Sequence, residues 1–185
     1  MKSLQLDKPH AIITIGIQGS GKTFFAQKFA ETFSAPFIEQ SLFVEKSRDN
    51  ESAESLMRNV LAETLKTGRS IVVELSLADR TERTDLNALL RKAGYVPLFV
   101  WVQTDTDTAM SRSYKTNGVS QDDFQSNLKK FSAPLKTEPV LVISGKHTFA
   151  TQAKVVLKKL SAPRTPAVQS PVERKQPIRG QIIVR

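Results

Sequence analysis

The chain contains no cysteine. Disulfides, thiolate nucleophiles and cysteine zinc sites are therefore excluded. Histidine is almost as scarce: His10 and His147 lie far apart, and two separated imidazoles do not make a metal cluster, so each reads as a surface residue. No apolar run approaches the roughly 20 residues that a membrane helix requires. The first residues, with Lys2 and then Asp7-Lys8-Pro9-His10, lack the apolar stretch of a signal peptide. Internal repeats are absent, and so is any glycine-and-aromatic motif for stacking bases. These absences leave a cytoplasmic protein with no membrane contact as the expectation.

What is present begins with charge. The 185 residues carry a formal net charge of +9, and part of it is concentrated at one end. Beyond position 160, Arg164, Arg174, Lys175, Arg179 and Arg185 face Glu173 alone, and the same stretch holds Pro163, Pro166, Pro171 and Pro177. A proline-punctuated basic segment without helical period reads as a disordered tail. Two parts follow: a folded domain over residues 1–160 and a tail over 161–185. The tail closes on the apolar Ile182-Ile183-Val184, a short docking strand or a solvated end. Basic charge is compatible with nucleic acid without selecting it, because a domain that handles phosphate is often basic.

The most informative stretch is Gly16-Ile17-Gln18-Gly19-Ser20-Gly21-Lys22-Thr23, which satisfies G-x-x-x-x-G-K-[ST] at every position. Ala11-Ile12-Ile13-Thr14-Ile15 before it reads as a buried strand, and Phe25, Phe29 and Phe33 after it give a helix an apolar stripe. Strand, glycine-rich turn and helix make the context in which this pattern is a P-loop. Glycines let successive N–H groups point at phosphate oxygens, and the new helix offers its positive end to the same anion. Lys22 is suited to the β- and γ-phosphates of a nucleoside triphosphate, and the Thr23 hydroxyl to Mg²⁺.

The rest of the chain alternates in the same manner. Strands are expected at residues 35–39, 70–75, 96–102 and 140–143, and residues 47–52 read as a polar turn. Helices are expected from Ala53 to Gly68, around Leu86, Leu89, Leu90 and Ala93, over residues 104–116 with Asp107 as N-cap, from Ser120 through Phe131, and over residues 148–160. Alternation from a P-loop implies an α/β fold with a parallel sheet of about five strands, right-handed crossovers, and ligands beyond the carboxyl ends of the strands.

Further stretches carry a resemblance. The P-loop, then Val72-Val73-Glu74-Leu75-Ser76-Leu77 with Arg80 and Arg83, then Arg112, then Phe131-Ser132-Ala133-Pro134 with Glu138, are together similar to the small P-loop kinases of the polynucleotide kinase type. The resemblance covers about residues 11–160 and implies a three-layer P-loop NTPase with a helical lid over ATP. It implies that Glu74 holds Mg²⁺-bound water or engages substrate, that Ser76 fills a small hydroxyl position, and that Arg83 steadies the site. A salt bridge of Arg83 to Glu82 or Asp85 is the alternative. Arg112 takes the place of the lid arginine on the nucleotide phosphates, with Lys115 as a possible companion. Leu77 departs from the Asn that the pattern favours. A larger departure follows the second strand, where the family keeps a general-base Asp. Ser41 or Leu42 stands there, Arg48-Asp49 comes later, and Glu39 and Glu45 are the nearest carboxylates.

The catalytic candidates are thus Lys22, Glu74, Arg112 and Glu39, with Gly16 to Thr23 and Arg112 on the nucleotide and Thr23 and Glu74 on the metal. Two functions remain. One is a monomeric ATP-dependent kinase that phosphorylates a hydroxyl on a nucleic-acid end, a nucleoside or a small metabolite. The other is an ATP-binding module, at most a weak ATPase, whose basic tail contacts nucleic acid or protein.

Overall fold

A computed structural model of the protein describes residues 6–77 and 79–161. The tail expected over 161–185 lies, apart from Ser161, outside the described residues. The elements are β1 (His10–Ile15), α1 (Lys22–Phe33), β2 (Phe37–Glu39), α2 (Gln40–Lys46), α3 (Asn50–Lys66), β3 (Ile71–Glu74), α4 (Arg80–Lys92), β4 (Val96–Gln103), α5 (Thr106–Asn117), α6 (Gln121–Lys130), β5 (Val140–Ser144) and α7 (Phe149–Leu160). The five strands form one sheet in the order β2-β3-β1-β4-β5, every pairing parallel.

Burial on both faces of the sheet follows from the apolar runs that build it. Alternate residues of β1 divide between two cores. Ala11, Ile13 and Ile15 join Val73 and Phe99 under Met57 and Leu61 of α3 and Leu86 and Leu90 of α4. Ile12 joins Val72, Val100 and Val102 under Phe25 and Phe29 of α1 and Ala153 and Val156 of α7. The result is three layers, helix–sheet–helix.

Local chemistry sets the helix starts. Asp79 and Glu82 form a reciprocal capping box on α4, and Ser120 and Thr148 cap α6 and α7. Three local expectations change. The cap of α5 is Asp105, which accepts from Thr108 N, and Asp107 falls in the first turn. Residues 40–46 form the helix α2 directly after β2, and α3 starts at Asn50, inside the stretch that reads as a turn. His10 is a buried strand residue, its Nδ1 2.9 Å from Lys8 O.

Candidate functional site

Every strand of a parallel sheet ends at the same edge, and the turn after β1 stands at the middle of it. Gly16, Gly19 and Gly21 take φ values of 146°, 75° and 100°, a backbone course that side chains with a Cβ resist. Close approach adds a second reason at Gly19, where a Cβ would collide with Ala109 O of α5. Gly21 caps α1, and Phe25 N donates to its carbonyl at 3.1 Å. The loop surrounds one side of a cleft of about 1000 Å³. Such a volume is at the upper end of ligand clefts, roughly 300–1,000 Å³.

Lys22 sits at the floor and donates to Ile17 O at 3.0 Å. Burial pushes its pKa down from the ordinary lysine value, and the charge of Glu74 opposes that shift. Glu74, at the end of β3, accepts from the Thr23 hydroxyl at 2.9 Å, while its second oxygen is buried without a hydrogen-bond partner. Desolvation raises the Glu74 pKa; Lys22 and Thr23 pull it back and the neighbouring Glu39 adds to the rise. Glu39 is the register partner of Glu74 across β2 and β3. Ser41, in the first turn of α2, donates its hydroxyl to Glu39, and Gln40 Oε1 accepts from Ser76 N at 2.6 Å. Glu39, Gln40, Ser41, Glu74, Ser76 and Leu77 all line the cleft.

The opposite wall comes from later in the chain. Arg112 of α5 donates to Gly145 O at 2.9 Å, and Thr104 Oγ1 donates to Ser20 O at 3.1 Å. Lys146 pairs with Asp105 at 2.5 Å, and that cation, with the Thr108 N–H, holds the Asp105 carboxyl well below its usual range. A Cβ on Gly145 would strike Ser20 O and Thr104 Oγ1, so the turn after β5 lies directly on the P-loop. Ser113, Asn127, Lys130, Lys146, His147 and Gln152 complete this wall. Gln152 is buried, donating to Ser144 O at 2.8 Å with its carbonyl oxygen unpartnered.

The structure thus gathers the P-loop, Glu39, Glu74 and Arg112 about one cleft. Other positions fall elsewhere. Lys115 is exposed and off the cleft lining. Asp49 caps α3, accepting from Ser52 N at 2.7 Å, and does not reach the cleft. Arg83 pairs neither with Glu82 nor with Asp85: it grips Glu138 through Nε at 2.8 Å and a second nitrogen at 3.0 Å, and also donates to Ser132 O. That pair ties α4 to the segment before β5. Sequence reasoning missed the far wall after β5, because Gly145, Lys146 and Gln152 follow no pattern of their own. Their one sequence signal is position, just past the end of a predicted parallel strand.

Together the fold and the site define a small P-loop NTPase of kinase-like architecture. The chain belongs to the AAA domain family AAA_33, whose match runs over residues 12–137. Solved structures share the fold at low sequence identity. A gluconokinase from Sinorhizobium meliloti 1021 aligns over 82% of this chain and 91% of its own, with TM-score 0.61 and 20% identity. A sugar kinase from Janibacter sp. HTCC2649 aligns over 81% and 93%, with TM-score 0.63 and 20% identity. Kti12 from Chaetomium thermophilum, in complex with ADP-AlF3, aligns over 80% and 96%, with TM-score 0.59 and 14% identity. A 56-residue stretch is 38% identical to the replication factor C large subunit of Thermoplasma volcanium, spanning 30% of this chain and 13% of that subunit.

Proposed function

We propose that the protein is an ATP-dependent phosphotransferase that moves the γ-phosphoryl group to a hydroxyl of a second substrate. One observation carries the reading: the cleft continues past the P-loop to the paired ends of β2 and β3, where Glu39 and Glu74 stand side by side. An ATPase alone has no need of that second compartment.

In this reading the loop N–H groups and the start of α1 hold the phosphates, Lys22 spans the β- and γ-positions, and Arg112 meets the transferred group. Glu39, oriented by Ser41, receives the acceptor's proton. Mg²⁺ fits the residues present. The Thr23 hydroxyl and Glu74, with its unpartnered buried oxygen, are hard oxygen donors of the kind that ion takes. Among the described residues no group of three or more His, Cys, Asp or Glu is placed to hold a metal, as suits an ion that leans on one or two carboxylates plus substrate phosphates. Bound there, Mg²⁺ would neutralise charge on the phosphates.

The competing reading, a nucleotide-binding module with weak ATPase activity, is favoured by Ser41 and Leu42 standing where the resemblance places an aspartate. Lys22→Ala is expected to weaken Mg·ATP binding or abolish turnover. Glu74→Gln is expected to lower turnover about a hundredfold, within the scale of acid–base groups. Calorimetry with ATP and product assays over an acceptor panel measure both. Tight ATP binding with no acceptor phosphorylated would favour the module.

A further inference from the structure

The cleft is strongly asymmetric in charge. Besides Lys22 on its floor, its cations are Arg112, Lys130 and Lys146, all on α5, α6 and the turn after β5. The opposite wall, from the ends of β2 and β3, carries Glu39 and Glu74 with the uncharged Gln40, Ser41, Ser76 and Leu77. Among the described residues, no lysine or arginine lines that wall. Phe24, 53% exposed, adds an aromatic surface at its edge. Lys28 lies over the Phe24 ring, 4.9 Å from its centroid, and is off the cleft lining. The polar groups there mostly accept: Glu39 is already engaged by Ser41, Gln40 Oε1 by Ser76 N, and Glu74 keeps one buried oxygen unpartnered.

We infer that the acceptor is a small hydroxyl compound without negative charge, a neutral polyol or sugar or an amino alcohol, and not a nucleic-acid end or a sugar acid. The inference rests on the phosphotransferase reading and narrows its acceptor. An anionic acceptor would meet the carboxylates of Glu39 and Glu74, while the cations nearest them, Lys22 and Mg²⁺, are taken up by the nucleotide phosphates in this reading. Like charges brought together in a confined site are strongly disfavoured. A hydroxyl or ammonium donor supplies what this wall lacks. The aromatic edge of Phe24 suits the apolar face of a sugar ring or a cationic head. The overall charge of +9 points the other way, toward nucleic acid, but among the described residues the cleft's lysines and arginines stand on its floor and its opposite wall.

The full-length protein is tested with Mg·ATP against glucose, ribitol, glucosamine, gluconate and a 5′-hydroxyl oligonucleotide. ADP release is followed, and calorimetry is run in parallel on protein loaded with Mg and a non-hydrolysable ATP analogue. At least one uncharged or amine-bearing compound is expected to bind and be phosphorylated, with gluconate and the oligonucleotide weaker by about tenfold or more. In Glu39→Gln, a variant read by binding alone, the gap between glucose and gluconate is expected to shrink. Gluconate or the oligonucleotide accepted as well as the neutral compounds would overturn the inference and leave the phosphotransferase standing. ATP hydrolysis with no compound bound or phosphorylated would overturn both.

Discussion

At the scale of single residues, the site works through desolvated charge. Glu74 has its pKa raised above the ordinary 4.5, with burial as the largest cause. In the proposed reading the carboxylate form is the one that holds Mg²⁺, so protonation would remove function as pH falls. The acid limb of kcat/KM, which reports the free enzyme, is therefore expected above the usual glutamate range. The contribution of Glu74 to that limb should be lost in Glu74→Gln, so that the limb of the residual activity moves, and a limb unchanged in position would count against the assignment. Lys22 and Thr23 follow from the motif and Glu74 from the resemblance at the end of the third strand, and the structure brings all three to one cleft. The partner of Arg83 was not legible, because an arginine on an amphipathic helix has several partners within reach of sequence spacing alone. That partner, Glu138, is 55 residues away, and only the fold brings the two together.

At the scale of elements, the strands were readable because a parallel sheet buried on both faces demands continuous β-branched and aromatic runs. The helix α2 was not: its seven residues bury none of their number, so no apolar period marks them. The segment expected to form a lid divides unevenly. Contacts of Thr104, Asp105 and Arg112 tie α5 and the residues leading into it to the P-loop and the turn after β5. The helix α6 buries only Phe124 and reaches the loop through Asn127 and Gln18 at 3.2 Å. Hydrogen exchange is expected to be slowed by a non-hydrolysable ATP analogue mainly in α6 and the turn at Gly118, and little in α5. Protection confined to α5 would reverse that order. Gly145→Ala is expected to weaken ATP binding at least about tenfold by pushing the turn off the P-loop, since backbone atoms there cannot give way. Titration calorimetry reads the loss directly.

At the scale of the molecule, one buried ion pair fastens the helical layer to the sheet's far edge. Arg83 is 3% exposed, and its bidentate grip lowers the Glu138 pKa. Removing one partner strands the other, a loss of about 3–5 kcal/mol for buried pairs. Arg83→Ala is expected to lower the thermal midpoint accordingly. Because the folded pKa of Glu138 is depressed, its contribution is complete above the unfolded value near 4.5 and drains away as pH falls through the folded value. Glu138→Gln should flatten the acid side of the stability profile, which scanning calorimetry at successive pH values measures. Among the described residues the core ends with α7, and truncation after Ser161 is expected to leave the melting temperature unchanged. The order of the strands has one more consequence. The two sides of the cleft come from separate, uninterrupted lengths of chain: residues 37–77 furnish the wall proposed for the acceptor, apart from Phe24, and residues 104–152 furnish most of the other, with the P-loop between them in space but ahead of both in sequence. Residues 37–77 are thus a cassette. In the proposed reading, exchanging them as one block between relatives that keep Glu74, the residue Thr23 of the P-loop donates to, would change what is phosphorylated while the rest of the machinery for holding ATP is inherited untouched.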